Sequence, residues 1–283
     1  MASQAGVALE NIHLGEKIAE RIEAERHMAQ EMEYAKRVQA RLFPHRLPAM
    51  KTLEYAGCCI QARQVGGDYF DFLELRPGRL ALVLADIAGK GISGALLMAN
   101  LQANLRSQYG VALEDLSRLL KSVNQLFYQN SSDGNYATLF FADYDDSSGR
   151  LRYVNCGHLP PLLLRADGKL ERLSSTATVL GLFEEWESSV AEAQLAAGDT
   201  LVLYTDGVTE AEKVQDVQFG ESRLIETMLA HRHLPVGALL KTIVEAVQKF
   251  NAGPQADDIT LVVAKRIAAR VLMAAPVCTA AVQ

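Results

Sequence analysis

The chain has 283 residues, enough for one large domain or a domain with an appendage, and its 49% hydrophobic content is ample for a core. A net charge of −6 leaves no basic footprint for nucleic acid, and no apolar run approaches the roughly 20 residues that a bilayer span needs. The N-terminus lacks the basic-then-apolar pattern of a secretory signal, and Cys58, Cys59, Cys156 and Cys278 form neither a C-x-x-C pair nor a zinc spacing, so a reducing cytoplasm is the expected setting.

Residues 9–43 read as one long charged helix, stopped by Pro44. Ile18, Ile22, Met28, Met32, Ala35, Val38 and Leu42 recur mostly at three- and four-residue steps among charges of both signs. The stripe is too narrow for a core helix and fits a coiled-coil seam, although Glu25 interrupts it. This is the reading of a dimerising or partner-reading helix; its alternative is a solvated helix lying on its own domain.

Past Pro48 the grain changes to short strands, over 53–60 and 69–75, with a turn at Pro77-Gly78. An apolar run, Leu82-Val83-Leu84-Ala85, then ends in Asp86, and its continuity predicts a strand buried on both faces. Helices follow over 93–109 and 113–128, then strands over 136–142 and 151–155 about a turn at 145–149. Residues 161–165 and 169–173 flank Asp167-Gly168, a hairpin signal. A second apolar run, Leu201-Val202-Leu203-Tyr204, leads to Asp206. Helices over 224–230 and 236–250 precede a last core strand over 259–264. Hairpin-linked strands interrupted by paired helices argue for an α+β class, an antiparallel sandwich flanked by helices. Residues 1–47 are then a helical, coiled-coil-like linker, 48–268 the folded domain and 269–283 a flexible tail.

Four acidic positions stand at strand ends or strand-to-loop joints: Asp68, Asp86, Asp206 and the pair Asp257-Asp258. A carboxylate at the end of a core strand is costly to desolvate unless something positive meets it. Oxygen donors without His or Cys nearby suit hard ions such as Mg²⁺ or Mn²⁺. Several converging carboxylates would repel one another unless divalent cations neutralised them. Two such ions about 3.5–4 Å apart can activate a water and polarise a phosphoryl oxygen, with no protein nucleophile required. None of the cysteines has the arginine six positions on that a cysteine-dependent phosphatase would need. One Asp-Gly pair is more often a solvated turn; four such sites in one chain are harder to dismiss.

Val65-Gly66-Gly67-Asp68-Tyr69-Phe70-Asp71, Asp86-Ile87-Ala88-Gly89-Lys90-Gly91, Thr205-Asp206-Gly207-Val208-Thr209-Glu210 and Asp257-Asp258-Ile259-Thr260 occur in that order. The series resembles the motifs of the bacterial PP2C-type (PPM) serine/threonine phosphatases, in the branch of sporulation phosphatases and sigma-factor regulators. Asn155-Cys156-Gly157-His158-Leu159-Pro160-Pro161 resembles that branch's Asn-Ala-Gly-His-x-Pro-Pro segment, and Arg37-Val38-Gln39-Ala40-Arg41-Leu42-Phe43-Pro44 the helix end before it. The resemblance covers residues 34–265. It implies an α-β-β-α sandwich, with 48–268 as the phosphatase domain and two Mn²⁺ or Mg²⁺ ions at one end. By motif position Asp86 would bridge both ions and the Ile87 carbonyl would ligate one. Asp206 and Asp257 would complete the other, Asp257 ranking ahead of Asp258. Asp68 would reach the second ion directly or through water.

The sequence departs from that pattern in three places. Cys156 replaces an alanine, Leu180-Gly181 lacks the usual preceding proline, and the phosphate-gripping arginine of larger PP2C enzymes has no evident counterpart. Arg63 or Lys90 could serve in its stead. The implied activity is hydrolysis of phosphoserine or phosphothreonine on a small STAS-domain anti-sigma antagonist in a partner-switching pathway. A catalytically silent scaffold of the same fold is the alternative. Its signature would be a lost metal aspartate, and none is lost.

Overall fold

The computed structural model describes residues 2–109, 115–131, 134–213 and 217–268. The expected tail and the first residues of the helix expected over 113–128 lie outside them. In chain order the elements are α1 (Ala2–Ala40), β1 (Leu53–Ile60), β2 (Tyr69–Arg76), β3 (Arg79–Ile87), α2 (Ile92–Tyr109), α3 (Leu116–Asn130), β4 (Ala137–Asp145) and β5 (Arg150–Cys156). There follow β6 (Leu162–Leu164), β7 (Leu170–Arg172), β8 (Ala191–Gln194), β9 (Thr200–Tyr204), α4 (Asp206–Thr209), β10 (Glu212–Lys213), β11 (Val217–Gln218), α5 (Gly220–His231), α6 (Val236–Phe250) and β12 (Ile259–Arg266).

Two antiparallel sheets, in the orders β2-β3-β4-β5-β8 and β1-β12-β9-β6-β7, pack face to face. Side-chain alternation shows how. On β9, Leu201 and Leu203 join the core between the sheets, while Val202 and Tyr204 point outward into a second apolar layer under α5 and α6. On β12 the same division falls between Val262 and Ala264 inward and Leu261 and Val263 outward. Both faces are buried, so these strands read as unbroken apolar runs. The paired helices α2 and α3 cover the outer face of the other sheet, completing the expected α-β-β-α sandwich. The strand β8 and the β10–β11 hairpin have no counterpart in the sequence reading. Ala191–Gln194 is a half-exposed edge with no apolar run, and Glu212, Lys213, Val217 and Gln218 are exposed.

Residues 13–31 of α1 stand away from the sandwich. Side chains 13–31 are all exposed, Ile18, Ile22 and Met28 among them, so this stretch does not lie along the domain. Contact begins at its last turns, where Gln39 is buried. The helix ends at Ala40, a few residues before Pro44: Arg41 and Leu42 donate their N–H groups to the Val38 and Gln39 carbonyls, tightening the final turn. Phe43 then enters the core against Phe70, ring centroids 5.4 Å apart.

Candidate metal centre

Four separate segments bring their aspartates to one end of the sandwich. Asp86 is the penultimate residue of β3, opposite Thr138 on β4. Asp206 follows β9 and opens the one-turn helix α4, so it stands at a helix start and not in a plain loop. Asp257 and Asp258 lead into β12, and Asp68 into β2. A cleft of about 190 Å³ is lined among others by Asp86, Asp206, Asp257, Asp258 and Arg63, with Gly66 and Gly67, while Asp68 lies buried outside its lining.

The local structure explains each position. Asp68 is buried and accepts hydrogen bonds from the hydroxyls of Thr205 and Thr260, which project inward from the ends of β9 and β12. Burial, then the charges of Asp86 and Asp258, hold its carboxyl well above the usual carboxylate range against the pull of these two hydroxyls. Burial and repulsion from Asp206 and Asp257 push Asp86 up to about 7, a hydrogen bond with Asp68 opposing. Asp206 is raised in the same way, by burial and by Asp257.

The two adjacent acids near β12 part company. Asp258 is buried and accepts from the Ala62 amide at 2.8 Å, with the backbone of Gly67 and Asp68 adding further bonds; it braces the loop that carries Asp68. Both line the cleft, but Asp257 is the more exposed of the two, its Oδ2 2.6 Å from the Lys90 ammonium. Lys90 is therefore committed to a carboxylate. Arg63 also lines the cleft and has no ion-pair partner among the described residues. Two glycines make the close packing possible. A Cβ at Gly66 would lie 1.8 Å from Asp258 Oδ2, and one at Gly207 2.0 Å from the Asp258 carbonyl. The Ile87 carbonyl faces Gly67, where a Cβ would come within 2.8 Å of it.

The sequence reading missed the anchor on the other side of this loop. Gln39, at the end of α1, donates from Nε2 to the Gly66 carbonyl at 2.7 Å and accepts the Gly66 N–H at 3.1 Å. Its place in the Arg37–Pro44 segment was the available signal, but a contact 27 residues away has no local pattern.

The donor set fits hard divalent cations: oxygen ligands only, with charges whose mutual repulsion a cation would relieve. As placed, no three carboxylates surround one point among the described residues.

The layered fold is that of the PP2C-type phosphatase domains. The SiaA PP2C domain of Pseudomonas aeruginosa matches with a TM-score of 0.74 at 20% identity, covering 87% of this chain and 99% of that one. PstP of Mycobacterium tuberculosis, solved with two manganese ions, matches with a TM-score of 0.58 at 20% identity, over 77% and 99%. Residues 76–267 match the family model for stage II sporulation protein E, SpoIIE. The match takes in more than half of the chain, and the chain belongs to that family. The phosphoserine phosphatase RsbU of Bacillus subtilis is 27% identical over 237 residues, 83% of this chain and 70% of RsbU. Of four further curated relatives the chain spans between 24% and 48% of the length. Asp68 and α1 precede the matched residues. No helix among the described residues is long and apolar enough to cross a membrane.

Proposed function

We propose that the chain is a metal-dependent protein phosphatase that hydrolyses phosphoserine or phosphothreonine on a small STAS-domain regulatory protein. The observation that carries this reading is the convergence of Asp86, Asp206 and Asp257 from three segments onto one cleft, with the buried Asp68 in hydrogen-bond reach of Asp86, at the cost of mutual repulsion. The name of RsbU as a phosphoserine phosphatase supports it.

Asp86, at the centre of the group, would bridge two ions, with the Ile87 carbonyl on one, Asp206 and Asp257 on the other, and Asp68 acting directly or through water. Bound there, Mn²⁺ or Mg²⁺ would supply a water acidic enough to attack phosphorus near neutral pH and would polarise the phosphoryl oxygens. Asp68 is held rigid by two threonine hydroxyls, and Asp258 fixes its loop, so the carboxylates are preorganised. Arg63, uncommitted to any carboxylate, is placed to orient the substrate phosphate; Lys90 instead offsets Asp257. The exposed stripe on α1 would pair with a second copy, making 1–47 a dimerising linker to the phosphatase domain 48–268.

The test is phosphate release from a phosphorylated STAS-domain protein with Mn²⁺ and, in parallel, with chelator. Release with Mn²⁺ alone is the expected result. Binding of the phosphoprotein without release under either condition would favour the silent scaffold.

A further inference from the structure

His158 belongs to the loop between β5 and β6 and does not line the cleft. It is 4% exposed. Its N–H donates to Asn155 Oδ1 at 2.8 Å, and Asn155 is itself fixed through Nδ2 to the Leu173 carbonyl. On the ring, Nδ1 lies 2.8 Å from the Thr138 hydroxyl of β4. Nε2 is buried without a completed hydrogen bond among the described residues. The other polar group acting on the ring is the backbone of Tyr204, the last residue of β9. With Nδ1 taken by Thr138, Nε2 is the nitrogen left to meet the Tyr204 carbonyl.

The protons can be assigned. Burial pushes the imidazole down to about 4, so near neutral pH one nitrogen carries hydrogen and the other a lone pair. A lone pair facing a carbonyl would be repelled, which places the hydrogen on Nε2 and makes Nδ1 the acceptor of the Thr138 hydroxyl. The ring thus spans the two sheets at a telling level. Thr138 is the cross-strand partner of Asp86, and Tyr204 stands two residues before Asp206. Packing alone does not explain the residue, because an apolar side chain would fill the space without the cost of desolvating two ring nitrogens.

We propose that His158 is a positioning residue that ties the Asp86 end of one sheet to the Asp206 end of the other, and so sets the separation of the two carboxylates. The proposal rests on the metal-centre reading above. The two carboxylates ride on different sheets, so sheet separation is the coordinate that an ion held by both would feel. Mg²⁺ and ions of its size tolerate little error in oxygen distance, with preferred values of about 2.0–2.1 Å.

The experiment compares wild type with Thr138→Val, Thr138→Ser, His158→Phe and the Thr138→Val/His158→Phe double variant. Mn²⁺ binding is measured by calorimetry and by electron paramagnetic resonance, and folding by circular dichroism melts. Thr138→Val and His158→Phe should each weaken the weaker of two bound Mn²⁺ ions by about tenfold, the usual scale for a residue one step removed from a metal. The double variant should be no worse than the worse single, and Thr138→Ser should bind as wild type does. Unchanged Mn²⁺ affinity in the two single variants, even with lowered melting temperatures, would overturn the proposal. So would losses that multiply in the double variant. Should His158→Phe fail to fold, Thr138→Val against Thr138→Ser still decides. A wild-type chain that binds fewer than two Mn²⁺ would instead sink the metal-centre reading itself.

Discussion

Asp257 and Asp258 are neighbours with opposite circumstances. Both line the cleft, but one meets a lysine while the other is buried and holds backbone amides of the Asp68 loop. The carboxylates that share the cleft make a thermodynamic prediction. Asp86 ionises at about 7 in the fold against an ordinary 3.8, so the folded chain holds that proton more tightly than the unfolded chain does. Its contribution to stability is present below the unfolded value and lost as pH rises through about 7. In chelator, Asp86→Asn should therefore melt higher than wild type at pH 8, by about 5 °C, with the gap closing towards pH 4. His158, shifted in the opposite sense, is common to both proteins and cancels. Thermal melts in buffers across this range check it, and a variant less stable than wild type at pH 8 would contradict the repulsion argument. Asp86 and Asp206 were legible in the sequence because an Asp closing an apolar run, with glycine close behind, is a local pattern. The bracing role of Asp258 was not, since its amide partner on Ala62 lies 196 residues away in sequence.

At the scale of elements, α1 carries the most consequence for the least contact. Its residues 13–31 stand clear of the sandwich, and its end delivers Gln39 to both backbone groups of Gly66, two residues from Asp68. The sequence showed a long helix with an apolar stripe because three- and four-residue spacing is local. It could not show where the helix docks. Nor does the whole helix present a single apolar face, since a charge interrupts the stripe at Glu25. Removing residues 1–30 leaves Gln39 in place but takes away most of the exposed stripe. We expect the truncated chain to sediment as a monomer where the full chain is a dimer, and to need a different Mn²⁺ concentration for half-maximal rate. A truncated protein that stays dimeric, with unchanged metal dependence, would remove α1 from the account. The strands β8, β10 and β11 escaped the sequence reading for a related reason: partly exposed edges carry no strong apolar signature.

Over the whole molecule, the sandwich is a device for bringing charges together that would otherwise separate. Asp86 comes from one sheet, Asp206 and Asp257 come from the strands of the other, and Asp68 is clamped between β9 and β12 by Thr205 and Thr260. The layer order followed from the alternation of apolar runs and paired helices, which sequence records. The inter-sheet contacts that fix the carboxylates were not recorded, because each joins segments far apart in the chain. The central claim is that this cluster exists to hold two cations about Asp86. Its most direct test is the number of Mn²⁺ ions bound per chain, measured by calorimetric titration of chelator-treated protein, wild type against Asp86→Asn. The account predicts two ions for the wild type and at most one for the variant, with the variant still folded by circular dichroism. Two ions bound with unchanged affinity in Asp86→Asn, or none in the wild type, would contradict it.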